Sequence, residues 1–222
     1  MHVISFLHAA RTISQTRFYE RYERWVKLSH RAGGIKPRSD LSGSFQDCGR
    51  LDLLLCQAEM EYSDIVFRNQ NIILNFDDVR NHATSILHEY SSFWISSAYE
   101  AFRSYKEESE SSGGGLNEMQ ASVYREMSLV RMPLFKHEYA GMTKPKPDQK
   151  KNIHEILLSP DGEKIERYHG SNRSSALIRS GCAENGSVSW ECYDRNSETS
   201  FWINRRRLAD NMLNSFKVSS SV

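Results

Sequence analysis

The chain has little that would tie it to a metal, a membrane or a disulfide framework. Its four cysteines, Cys48, Cys56, Cys182 and Cys192, include no Cys-x-x-Cys pair. That spacing is neither a zinc ribbon nor a small secreted scaffold, so reduced, buried thiols are expected. No stretch approaches the roughly 18 unbroken apolar residues of a spanning helix, and the apolar opening at 3–10 has no basic leader before it. The expectation is a cytoplasmic protein without membrane contact. An excess of one charge is missing too: 29 Lys and Arg stand against 28 Asp and Glu, a formal net of +1. No global field draws in nucleic acid or anionic lipid, so any such contact must come from a local patch. Gly-x-Ser-x-Gly is absent, and no Lys-Ser/Thr follows Gly113-Gly114-Gly115 at Walker spacing. The serine-nucleophile signature is thus missing, and nucleotide hydrolysis by a P-loop is excluded.

What the chain does have is helical periodicity followed by a change of character. With 222 residues it can bury a core without staples. Over 12–30 the aromatics Phe18, Tyr22 and Trp25 recur at helical intervals, and Ala32-Gly33-Gly34 with Pro37 ends the helix. Residues 39–49 are polar and contain glycine, which predicts a loop. Residues 51–62 suit a helix; 65–67 and 72–74 are apolar runs that fit a strand or a buried helix, with helix preferred. Asp77 and Asp78 then supply a cap and a favourable charge for a helix carrying Val79, Ile86, Tyr90, Phe93, Trp94, Ala98, Ala101, Phe102 and Tyr105. Its length is about 30 residues, or roughly 45 Å. The glycine run turns the chain, and a second helix from Leu116 or Asn117 through Val123, Met127 and Val130 completes an antiparallel hairpin. Pro133 predicts a break in it or the first turn of a new helix.

The stretch 143–148, with two prolines and two lysines, reads as a stiff linker. Beyond it, 153–158 and 164–168 read as strands around a Pro160-Asp161-Gly162 turn. Residues 187–193 alternate with Val188, Trp190 and Cys192 on one face, 199–203 return, and Asn204 caps a last helix carrying Leu208, Met212, Leu213 and Phe216. The fold class expected is a mainly α N-terminal helical bundle over 1–143, followed by a small α+β C-terminal module with antiparallel hairpins over 152–222.

Among chemical constellations, Arg131 and His137 are the most suggestive. They lie around Pro133 at the end of the hairpin, with Lys136 and Glu138 beside them. Converged on a phosphate, an imidazole can take a proton from a ribose 2′-hydroxyl or give one to the leaving oxygen, while a guanidinium stabilises charge on the phosphorus oxygens. Such a site needs no metal or other cofactor. The bland alternative is that Arg131 and Lys136 are solvated cations and Met132, Leu134 and Phe135 are core.

Over residues 77–141 the chain resembles the HEPN family on the strength of the hairpin, Arg131 and His137. These are helical bundles whose last long helices carry an Arg, a polar residue, a few variable residues and a His; many are metal-independent ribonucleases that act as dimers. The resemblance implies that Arg131 and His137 match the family's arginine and histidine and that the chain forms a homodimer. Met132 stands where the family usually has Asn, Asp or His, and Pro133 lies inside the motif. A non-catalytic member of the same fold would tolerate both.

Two further groups are candidates. On the long helix His82, Glu89 and Glu100 fall along one flank while His88 points to the opposite, wetter face. They make no His-Glu-x-x-His motif, and no metal is expected. Glu89 or Glu100 would pair with Arg103 or another arginine, and either would lie beside Arg131 in a suitable hairpin register. In the C-terminal part, Arg195, Trp202, Arg205, Arg206 and Arg207 join aromatic and basic side chains that can hold bases and phosphates, a face for RNA or a protein partner. The plainer alternative is that Trp190 and Trp202 are core or a hairpin pair. Three arginines opening a helix oppose its dipole, and an anion nearby would relieve the clash.

Overall fold

The structure is a computed structural model that describes residues 12, 16–34, 39–68, 76–136, 155–157, 165–167, 178–194, 197 and 199–216. Among these residues there are five α-helices and two small antiparallel sheets, a mainly helical body with an α+β C-terminal part.

Helix α1 (Tyr19–Gly33) buries Trp25, Leu28, Ser29 and Ala32, one face at three- and four-residue steps. It ends in the glycine pair as expected, with His30 and Arg31 in the last turn facing the negative end of its dipole. Helix α2 (Ser39–Ser63) starts earlier than the composition of 39–49 predicts. The small polar residues there sit between Leu41, Phe45 and Cys48, whose periodicity continues into Asp52, Leu55 and Cys56, all buried. Packing of that stripe outweighs the weak propensity of Gly and Ser. Gly49 marks the close approach of the two helices, since a Cβ there would lie 2.7 Å from the Trp25 side chain. A π-helical turn, Asp64–Arg68, follows α2. The apolar run at 72–74 lies outside the described residues.

Helix α3 (Phe76–Ser111) has 36 residues, about 54 Å. Its buried stripe is Leu87, Ser91, Trp94, Ile95, Ala98, Ala101, Phe102 and Tyr105, whereas Ile86, Tyr90 and Phe93 are exposed. The apolar face is thus narrower than the residue types imply. Gly113, at φ 81°, turns the chain, and its neighbour Gly114 returns an N–H to the Ser109 carbonyl at 3.0 Å. Helix α4 (Glu118–Lys136) opens on a reciprocal cap: Asn117 Oδ1 accepts from the Gln120 N–H at 2.8 Å and Gln120 Oε1 accepts from the Asn117 N–H at 3.1 Å. Pro133 lies inside α4 and does not break it. Pro133 is buried, as are Leu129 and Val130 one turn before it, and that burial offsets the missing N–H.

Strands β1 (Glu155–Leu157) and β2 (Ile165–Arg167) pair antiparallel, as expected. The turn between them and the boundary at 144–151 lie outside the described residues. A second sheet runs β3–β4–β5, from β3 (Arg179–Cys182), β4 (Val188–Asp194) and β5 (Thr199–Asn204). Residues alternate along β4 as predicted, with Val188, Trp190 and Cys192 inward. Trp202 pairs with Glu191, and Trp190 with Ile203, so the two tryptophans point to opposite faces and are not a hairpin pair. Helix α5 (Arg205–Ser215) starts at the predicted Asn204 cap, whose side chain accepts from the Arg207 N–H at 3.1 Å.

One hydrophobic core joins the helices to this sheet. Trp25, Phe45, Trp94, Phe102, Met127 and Val130 belong to the same cluster as Trp190, Leu208, Met212 and Phe216. Phe216 sits in an aromatic group, its ring centroid 4.9 Å from Tyr105, 5.6 Å from Phe102 and 5.7 Å from Phe45.

Candidate functional site

The helical hairpin positions Arg131 through two side chains of α3. The Arg131 Cζ lies 4.6 Å from the ring centroid of Tyr99, and its Nη2 donates to Glu100 Oε1 at 2.5 Å. Tyr99 is held in turn, since the Tyr124 ring stacks on it at 5.1 Å and the Tyr124 hydroxyl donates to the Tyr99 oxygen at 3.0 Å. Burial, and then the hydrogen bond that Tyr124 donates, push its own phenol above the ordinary tyrosine value. The Tyr124 phenol therefore stays neutral, and it braces the ring on which the arginine rests.

Glu100 is shared between two arginines. Its other oxygen, Oε2, accepts from Arg103 Nε at 2.8 Å, and Arg103 Nη1 donates to Glu107 at 2.6 Å. Lys106 lies 5.4 Å above the Tyr124 ring, which adds a third cation to this flank of the hairpin. The Arg131 Nε is buried and has no hydrogen-bond partner among the described residues.

Of the other residues expected here, Lys136 is the exposed last residue of α4, while His137 and Glu138 lie outside the described residues. Glu89 is exposed on α3, 11 residues before Glu100 and so about 16 Å along the axis. It is Glu100, not Glu89, that the hairpin register brings to Arg131. The histidines also differ from expectation: His82 is exposed and His88 half-buried, where desolvation pushes its imidazole below the usual value. The buried stripe of α3 is rotated relative to the one drawn from residue type, which brings His88 nearer the core.

The arginines opening α5 behave differently from a basic face. Arg205 is wholly enclosed: its Nη1 donates to Asp52 Oδ1 at 2.5 Å and its Nε to Glu59 Oε1 at 2.6 Å, with Trp94 5.5 Å away. Arg206 lies 2.6 Å from the other oxygen of Glu59, and the half-exposed Arg207 lies 3.7 Å from Glu126. The anions that relieve the crowded helix start thus come from the chain itself. Arg205 is removed from any exposed binding face, because its charge is spent on buried carboxylates. Asp52 further accepts from Arg21 Nε at 2.6 Å and from Trp25 Nε1 at 2.7 Å, and Arg21 also pairs with Asp210 on α5. Trp202 remains 51 % exposed on the outer sheet face. Arg195 lies outside the described residues.

Sequence reasoning missed Asp52, Glu59 and Arg21. The available signal was an acidic pair seven apart on the stripe that also carries Phe45, Cys48, Leu55 and Cys56, which places two carboxylates on the buried face. Among the described residues no group of three His, Cys, Asp or Glu is placed to hold a metal ion, and no helix is long and apolar enough to cross a membrane. Comparison of the chain with protein-family models, with curated proteins and with solved structures returns no match.

Proposed function

We propose that the chain is a HEPN-like RNA-acting protein, a metal-independent endoribonuclease or a relative that retains the RNA site without the cleavage, with the site at the end of the α3–α4 hairpin. The observation that carries this reading is the set of Arg131: a guanidinium fixed on Tyr99 and adjoined by Arg103 at a shared carboxylate. Arg131 then binds the non-bridging phosphate oxygens. His137, next in sequence to Lys136, takes the proton of the ribose 2′-hydroxyl. The 2′-oxygen attacks the adjacent phosphorus, the bond to the 5′-oxygen breaks, and that oxygen takes a proton from water as it leaves, giving a 2′,3′-cyclic phosphate and a 5′-hydroxyl, while the His137 imidazolium returns its proton to solvent. A second copy of the chain, as the family likeness implies, places two such sites together.

The test is incubation of the purified protein with mixed RNA in EDTA, for wild type, Arg131→Ala and His137→Ala. Cleavage with cyclic-phosphate ends that is lost in both variants is expected of an active enzyme. A retained site without cleavage shows as RNA binding that Arg131→Ala abolishes. Neither cleavage nor Arg131-dependent binding, or cleavage that persists in both variants, sinks the reading.

A second reading, a non-enzymatic interaction module, is favoured by the half-exposed Trp202 indole, with Arg207 on the following turn. Replacing both by alanine and measuring RNA and protein capture across salt tests it; unchanged affinity and salt slope remove this face.

A further inference from the structure

We propose that Glu100 occupies, in the free protein, the place that an RNA phosphodiester takes between Arg131 and Arg103, so that the two arginines form one phosphate clamp gated by an internal carboxylate. This rests on the reading of the hairpin as an RNA site and adds to it a second clamp residue and a means of control.

Three features of the cluster converge on it. First, the two oxygens of Glu100 are divided: Oε1 is on Arg131 and Oε2 on Arg103. A phosphodiester also offers two non-bridging oxygens on one centre, so it can replace the carboxylate on both guanidiniums at once. Second, the Arg131 side chain is 16 % exposed and that of Glu100 is 41 %. The carboxylate is the more solvent-facing partner, and its departure uncovers the cation. Third, Arg131 has a contact besides Glu100, because its guanidinium lies 4.6 Å from the Tyr99 ring centroid and Tyr124 braces Tyr99. When Glu100 leaves, that contact remains to hold the arginine.

Charge fits the exchange. In the free state Glu100 and Glu107 neutralise Arg131 and Arg103. Once Glu100 turns to solvent, the pair carries one uncompensated positive charge, matching the single negative charge of a phosphodiester, and Lys106 stands on the same flank. Competition with an internal carboxylate weakens binding of every phosphate equally; a chain that engages further sites on the protein recovers the loss. At a given concentration a strand that engages several sites therefore stays bound where free phosphate or a mononucleotide does not.

The experiment measures anisotropy of a short, 2′-O-methylated single-stranded RNA with the full chain. The variants are Glu100→Gln, Arg103→Ala, Arg131→Ala and the Glu100→Gln/Arg131→Ala pair, with Glu118→Gln as a control for net charge. Glu118 is an exposed residue at the far end of α4. Glu100→Gln is expected to bind about tenfold tighter, equivalent to about 1.4 kcal/mol; Glu118→Gln stays near wild type, Arg103→Ala binds more weakly, and the gain from Glu100→Gln disappears when Arg131 is absent. If Arg131→Ala weakens binding but Glu100→Gln leaves it unchanged or lower, or if Glu118→Gln matches the gain, the gate is wrong while the RNA site stands. If Arg131→Ala binds as wild type in both backgrounds, the RNA site fails and the gate with it. Arg131→Lys, which keeps the charge but not the fork, replaces the alanine variant if that protein does not fold.

Discussion

Arg205 and Asp52, 153 residues apart in the chain, meet at 2.5 Å with both side chains completely enclosed. Such a pair is costly to bury and costlier to break, because removing one partner leaves the other charged and dry. Arg205 serves two carboxylates, Asp52 and Glu59. Arg205→Met is expected to lower stability by about 3–5 kcal/mol in urea unfolding. A loss under about 1 kcal/mol would mean that the carboxylates find other partners or water.

The same cluster gives acid unfolding a specific origin. Burial pushes the Asp52 carboxyl up, but Arg205 and Arg21, with the hydrogen bonds they donate, outweigh it and hold the group down at about 2. This folded value lies below the roughly 3.9 of an unfolded aspartate. The contribution is therefore fully present above pH about 4 and is lost as pH falls through about 2. Melting temperatures between pH 5 and pH 2 should fall less steeply for Asp52→Asn than for wild type; parallel curves would assign the acid dependence elsewhere.

Two glycines should differ sharply in their response to an added methyl group. At Gly186, with φ 77°, an added Cβ would lie 1.9 Å from the Glu59 carbonyl oxygen, whereas at Gly115 it meets nothing within 4 Å. Gly186→Ala is expected to cost more than about 2 kcal/mol, since the β3–β4 turn is pressed against the α2 backbone. Gly115→Ala should fall within about 1 kcal/mol of wild type. Equal effects in thermal melts would contradict this packing.

Thiol chemistry reports on the same interior. Burial, followed by nearby carboxylates, raises Cys48 and Cys192 to about 12, and burial also raises Cys56. Cys182 is the half-buried member. A disulfide reagent at pH 8 should label Cys182 first in the native protein and the other three only on unfolding. Early labelling of Cys48 or Cys192 would show the core to be open.

A chain ended after Thr143 lacks Arg205, Trp190, Leu208 and Phe216, and so exposes Asp52, Glu59 and the Phe45–Phe102 surface. It is expected to unfold without a cooperative transition and to bind hydrophobic dyes. A sharp transition close to that of the full chain would establish 1–143 as an independent domain.

The sequence made legible what is local. The Asn204 cap, the alternation of Val188, Trp190 and Cys192, and the hairpin around the glycine run all follow from residues within a turn or two of one another. Where tertiary packing decides, the pattern misled: residues 39–49 are helical because Leu41, Phe45 and Cys48 are buried, and Pro133 is held in α4 as a buried residue. Strand β3 passed unnoticed because Arg-Ser-Gly-Cys holds no β-branched or aromatic residue; pairing with β4 makes it a strand. In the hairpin, Arg131 was legible, and Glu100 was one of two acids that the register left open. Only the register of α3 against α4 sets Glu100 between two arginines.

The clasp of α5 on α1 also orders events in time during synthesis. Arg21 meets Asp210, Arg24 Nη2 reaches Asn214 at 3.0 Å, and Arg31 Nη1 reaches the Phe216 carbonyl at 2.5 Å, contacts that span 185 to 190 residues. A ribosome delivers α1 and α2 long before α5 emerges. Until then Asp52 has only Arg21 and Trp25 of α1, and Glu59 lacks both of its arginines and keeps its water, so this part of the interior is expected to close only once α5 is available.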